Sequence, residues 1–103
     1  MLRAAEAAER FVSGMSRAVF GDEEKTQFAV ARALEIIGEA ASRLSEDERA
    51  LYPQIPWQRI VGMRTFLAHE YFRVDLDTVW NVVTNQLPSL IEQLRAVVPP
   101  EDL

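Results

Sequence analysis

Arg64 and His69 are the residues of this sequence best equipped for chemistry. His69 is the only histidine in the chain, and an imidazole that titrates near neutrality can take up or give a proton. Arg64 offers a planar fork of donors suited to a phosphate or a carboxylate. On a helical wheel at about 100° per residue, Trp57, Ile60, Val61, Leu67, Ala68 and Tyr71 form one apolar stripe, with Arg64 in its middle. A charge placed there needs a partner, and Glu35 and Glu39 are the candidates. His69 follows five residues later, about 140° around the helix. The two side chains therefore meet only if the arginine curls round or the helix loosens near Glu70. Two readings stay open on spacing alone: a packed histidine beside a buried ion pair, which is the more ordinary arrangement, or a proton-transfer site that uses both residues.

Composition removes other chemistries. The chain has no cysteine, which excludes disulfides, thiolate zinc sites and cysteine nucleophiles. A lone histidine argues against an all-protein transition-metal site, so no metal and no cofactor are expected. The net charge of −5 argues against a broad electrostatic grip on nucleic acid, though not against a local one. Ten of the eleven basic residues are arginine. With 103 residues, 49% of them apolar and 26% charged, the chain has the balance of one globular domain. No run approaches the roughly 18 apolar residues of a membrane span. The opening Met1-Leu2-Arg3-Ala4-Ala5-Glu6 lacks the apolar stretch of a signal peptide, so the cytoplasm is the expected compartment.

The elements that must position Arg64 and His69 read as helices throughout. Leu2 to Val12 is rich in Ala, Glu and Arg at helical spacing. Ser16 to Phe20 predicts a short helical turn closed by Gly21, with Asp22 as N-cap of the next helix. That helix, about 23–44, carries Val30, Ala33, Leu34, Ile37, Ala40, Ala41 and Leu44 on one stripe. Ser45-Glu46-Asp47-Glu48 is a capping box opening a short helix before Tyr52-Pro53. Pro56 suits the start of a helix running from Trp57 to about Tyr71. Asp75 caps a last helix, which Pro88 should kink or split. No period-two alternation predicts strands. The expected fold is an all-α bundle of about four to five main helices, with 1–98 as a single domain and 99–103 as a short tail.

The side of the 57–71 helix opposite the apolar stripe is not an ordinary solvated face. Gly62, Thr65, Phe66, His69 and Phe72 lie there, with few charges. Such a helix is expected to be covered on two sides, either by a second copy of the chain, the more economical partner, or by the first or last helix of the same chain. Gly62 would let a neighbouring backbone approach.

The run Gly62-Met63-Arg64-Thr65-Phe66-Leu67-Ala68-His69-Glu70-Tyr71-Phe72 resembles the HEPN ribonuclease superfamily, whose signature is Arg-x4-His. The Arg-x4-His-x-Tyr form completed by Tyr71 resembles the HepT toxin branch. Asp22-Glu23-Glu24-Lys25-Thr26-Gln27, Leu34-Glu35-Ile36-Ile37-Gly38-Glu39-Ala40-Ala41, Ile55-Pro56-Trp57 and Val74-Asp75-Leu76-Asp77-Thr78-Val79-Trp80 are similar to that family in the same order. The likeness thus covers nearly the whole chain. At the position after the motif arginine, where the family often has Asn or Asp, this chain has Thr65.

The resemblance implies a HEPN-type helical bundle that forms a homodimer, with two Arg-x4-His motifs meeting in a cleft between subunits. It implies metal-independent cleavage of RNA, with Arg64 and His69 catalytic. Thr65 can still hydrogen-bond in support, and Glu39 is a candidate support for Arg64 or a simple surface ion pair. The resemblance also implies a partner antitoxin of the minimal nucleotidyltransferase (MNT) type, which adds AMP to Tyr71. This agrees with what the residues can do. RNA carries its own nucleophile in the 2′-OH, so cleavage needs a base, an acid and a cation for the phosphorane charge. A symmetric dimer supplies two histidines for the first two posts. The alternative is a HEPN module that binds a nucleotidyltransferase or a nucleotide without cleaving anything.

Overall fold

The protein is described from a computed structural model, which covers residues 1–68 and 75–97. Within those residues the chain forms helices and no strand. In order they are α1 (Leu2–Phe11), α2 (Arg17–Asp22), α3 (Glu24–Ser42), α4 (Glu46–Ala50), α5 (Trp57–Ala68), α6 (Leu76–Asn81), one π-helical turn (Val82–Gln86) and α7 (Leu87–Val97). Four rods make the bundle: α1, α3, α5, and the composite of α6, the π turn and α7. The all-α expectation holds.

α3 is the central rod, packed on α1 along one side and on α5 along another. Of its predicted stripe, Val30, Ala33, Leu34, Ile37 and Ala41 are buried, while Ala40 and Leu44, the latter past the end of α3, are half-buried. α1 answers with Leu2, Ala5 and Ala8, whose small size at three-residue spacing lets the two helices lie close. The composite rod closes the core with Val79, Val83, Leu87, Leu90, Ile91 and Leu94. Phe20 of α2 is fully buried and tilts against Trp80 with ring centroids 5.2 Å apart. Among the described residues no helix is long and apolar enough to cross a membrane.

The α2–α3 corner differs from the expectation. Gly21 does not close α2, and Asp22 is its last residue rather than the cap of α3. Gln27 explains the shift: its amide donates to the carbonyls of Phe20 (2.8 Å) and Gly21 (3.0 Å), satisfying the end of α2 and folding α3 back tightly. Glu23 precedes α3 and accepts the Thr26 hydroxyl at 2.8 Å instead of a backbone N–H.

Other local signals are realised directly. Ser45 and Glu48 form both bonds of the capping box of α4. Asp75 accepts the Thr78 N–H at the start of α6. Pro88 falls at the second position of α7, and the helix before it opens into the π turn, with the Leu87 N–H donating to the Val82 carbonyl. A proline ring crowds the carbonyl four residues back and supplies no N–H, and the wider turn accommodates both.

The segment after α4 fixes where α5 begins. Arg49 reaches back to the Ala41 carbonyl near the end of α3 (3.0 Å), where a cation also suits the helix dipole. The Trp57 indole N–H donates to the carbonyls of Arg49 (3.0 Å) and Tyr52 (3.1 Å). With Ile55, Trp57 and Ile60 buried beneath it, α5 is held in one register along α3.

Candidate functional site

The α3–α5 contact places Arg64. Gly38 of α3 lies directly against α5, where a Cβ on Gly38 would sit 2.9 Å from the Arg64 Cβ and 3.1 Å from the Ile60 carbonyl oxygen. The arginine backbone and Cβ are therefore pinned in the helix contact. Its side chain runs outward along α3, and Arg64 as a residue is exposed. The sequence placed this charge inside an apolar stripe; the length of the side chain carries the guanidinium out of it.

At the surface, Arg64 Nη1 donates to Ser42 Oγ at 2.9 Å. The Ser42 hydroxyl in turn donates to the Glu39 carbonyl at 2.7 Å. The expected carboxylate partners are engaged elsewhere. Arg32, on the same face of α3, lies 3.1 Å from Glu35 and 3.7 Å from Glu39. Arginine and carboxylates spaced by three and seven residues share one side of a helix, so Arg32 reaches both, whereas Arg64 arrives at the C-terminal end of α3 and meets a hydroxyl. Glu39 thus connects to Arg64 through its backbone carbonyl and Ser42, not through its carboxylate.

Thr65 is exposed, as are Gln58 and Gly62 on the same side of α5. No atom lies within 4 Å of where a Gly62 Cβ would stand, the helix's own backbone aside. Among the described residues, no helix of the same chain covers this strip, so covering by α1 or α7 is not what the bundle does here. Phe66 is different: it is half-buried and packs on the core, as do Val61 and Met63. An apolar hollow of about 60 Å³ between α5 and the composite rod is lined by Leu34, Ile37, Ile60, Met63 and Leu90, with Arg59 at its edge. Arg64 takes no part in it.

His69, Glu70 and Tyr71 lie outside the described residues, as do residues 98–103, which include the expected tail 99–103. Among the described residues no three or more His, Cys, Asp or Glu side chains are grouped to hold a metal ion. Two residues that place Arg64, Gly38 and Ser42, were not singled out from the sequence. Their signal was there: small residues four apart on α3, flanking Ala41, mark where another helix can approach closely and where a short hydroxyl can meet a side chain crossing from it.

A family profile described as "Ribonuclease HepT-like" matches residues 1–97. The chain belongs to the HepT-like ribonuclease family. Similar proteins agree with that placement. "Probable ribonuclease HepT" of Thermococcus cleftensis is 44% identical over 95 residues, covering 89% of this chain and 86% of the relative. A "Putative RNase" of Methanocaldococcus jannaschii is 38% identical over 88 residues, 85% of this chain and 73% of the relative. A "Putative RNase" of Caldanaerobacter subterraneus is 36% identical over 90 residues, 87% and 80% of the two chains. No solved structure gives a significant match.

Proposed function

We propose that this HepT-like protein is a metal-independent endoribonuclease and the toxin of a toxin–antitoxin pair, with Arg64 and His69 as catalytic residues in a cleft between two copies of the chain. The observation that carries the reading is Arg64 itself. Its guanidinium stands at the surface on a neutral acceptor, and another strip of α5, at Gly62 and Thr65, is left open by the described residues. A cation so placed can hold a scissile phosphate and meet the charge that grows on it in the transition state.

In this reading an imidazole of His69 removes the proton of the 2′-OH. The 2′-oxygen forms a bond to phosphorus as the bond to the 5′-oxygen breaks, and a second imidazole, from the other copy, gives its proton to that departing oxygen. The products are a 2′,3′-cyclic phosphate and a 5′-hydroxyl. Thr65, exposed beside Arg64, can hydrogen-bond the substrate, and Glu39 supports Arg64 through its carbonyl. The antitoxin, a nucleotidyltransferase of the MNT type, transfers AMP from a nucleoside triphosphate to the Tyr71 hydroxyl with release of pyrophosphate. A phosphate added so close to the motif neutralises the arginine and occupies the RNA site. The protein works in the cytoplasm, where its RNA substrate and the antitoxin are found.

The deciding experiment incubates purified protein with end-labelled RNA in EDTA, wild type beside Arg64→Ala and His69→Ala. Cleavage to cyclic-phosphate ends by the wild type, lost in both variants, is the expected result. RNA that stays intact with the wild type overturns the catalytic reading and leaves a binding module. A Tyr71→Phe protein that the antitoxin still silences completely overturns the acceptor assignment.

A further inference from the structure

Ser42 lies at the last position of α3, where a helix has carbonyls without an intrahelical donor. Its hydroxyl has one proton and two lone pairs. The proton is committed to the Glu39 carbonyl at 2.7 Å, which turns the lone pairs toward α5, where one of them receives Arg64 Nη1 at 2.9 Å. The Arg64 side chain is thereby fixed at both ends: its Cβ against Gly38 and its guanidinium on Ser42. The acceptor at the tip carries no charge. A carboxylate there would cancel the positive charge and have to be displaced before a phosphate could bind. Two carboxylates stand on the same helix, and both face Arg32, at 3.1 and 3.7 Å.

We propose that Ser42 is a positioning residue for Arg64, holding its guanidinium through a neutral hydroxyl so that the full charge is presented to an RNA phosphate, while Arg32 keeps Glu35 and Glu39 off that charge. This rests on the ribonuclease reading above and adds to it the device that orients the arginine and keeps it free. One of the five N–H groups of the fork goes to Ser42, leaving donors for the phosphate. The arrangement explains why Arg64 is bonded to Ser42 while Glu35 and Glu39 are held by Arg32.

Three substitutions at one site separate the roles. Cleavage of labelled RNA is measured as kcat and KM, with thermal unfolding alongside. Ser42→Ala removes the acceptor and is expected to lower kcat/KM by about 10- to 100-fold, the range of a hydrogen bond to a charged group, with most of the loss in kcat. Ser42→Thr keeps the hydroxyl and restores most of the rate. Ser42→Asp keeps an acceptor but makes it a carboxylate; it leaves the unfolding temperature near that of the wild type and lowers kcat/KM below the Ser42→Ala value. It also weakens binding of a 2′-O-methyl oligoribonucleotide, which binds without being cleaved. A purely structural Ser42 would show rates that follow unfolding temperature, with Ser42→Asp no worse than Ser42→Ala. Wild-type rates in Ser42→Ala and Ser42→Asp, with Arg64→Ala inactive, overturn the positioning role and leave the ribonuclease reading intact. An Arg64→Ala protein as active as the wild type overturns both.

Discussion

Gly38 faces Arg64 across the α3–α5 contact at a distance that no side chain would accept: a Cβ on the glycine would stand 2.9 Å from the arginine Cβ and 3.1 Å from the Ile60 carbonyl oxygen. The nearest atoms belong to backbone and to the stiff first carbon of a side chain, so neither can swing away. Gly38→Ala gains helix propensity of about 1 kcal/mol, yet overpacking of a close helix contact costs about 1–3 kcal/mol. The expected net effect is a loss of about 1 kcal/mol in urea unfolding. Ribonuclease activity should fall further than stability does, because the added methyl pushes Arg64 itself. A variant as stable and active as the wild type would show that the two helices do not meet there as described.

Arg64→Lys separates charge from geometry. Lysine keeps the cation but offers a point charge in place of a fork, and it cannot hold Ser42 and a phosphate in one plane. Activity is expected to drop by about 10²–10³ fold in Arg64→Ala, the range for removing a preorganised transition-state donor, with Arg64→Lys between the two. The residue is exposed, so unfolding in urea should move by no more than about 0.5 kcal/mol. A loss of activity matched by unfolding would reassign Arg64 to structure.

The start of α6 gives the fold a pH signature. The Asp75 carboxylate accepts the Thr78 hydroxyl (2.6 Å) and the Thr78 N–H (3.0 Å). The hydroxyl bond first, and then the backbone bond, hold its pKa below the ordinary carboxylate value of 3.8. A group lowered on folding contributes stability that is complete above its unfolded pKa and lost as pH falls through its folded one. Wild type should therefore be more stable than Asp75→Ala at pH 7, with a gap that is constant down to about pH 4–5 and closes below the ordinary carboxylate range. Urea midpoints of the two proteins across pH 3–7 make the check; a gap that widens in acid would contradict the cap.

What the sequence made legible follows from the range of each signal. The apolar stripe of α3, the capping box at Ser45 and Glu48, the Asp75 cap and the break at Pro88 depend on residues within one or two turns, and all four appear as expected. The α2–α3 corner was misplaced because Gln27 reaches back six and seven residues to the carbonyls of Gly21 and Phe20, a side-chain bond that no local pattern announces. The same holds at the site. Arg64 was recognised by its spacing to His69 and by the family likeness, but its partner was expected among the acids on charge alone. Which acceptor a long arginine meets depends on where it crosses the neighbouring helix, and Gly38 sets that crossing. The acids went to Arg32 because it shares their helix face.

Gly62 tests the association that the catalytic reading needs. In the single chain its Cβ position is open, with nothing within 4 Å, so Gly62→Ala should stabilise an isolated protomer through helix propensity, by up to about 1 kcal/mol. Gly38→Ala, of opposite sign, serves as the control on the other glycine. If the strip holding Gly62 and Thr65 is where two copies meet, a larger change there acts on association rather than folding. Gly62→Arg should leave the protomer folded and no less stable, since arginine shares most of alanine's helix propensity, while halving the mass measured by light scattering and abolishing RNA cleavage. Mixing it with the wild type should yield no active heterodimer. Gly62→Arg that keeps both the mass and the cleavage rate of the wild type would exclude this strip from the interface, and with it a shared cleft built on this face of α5.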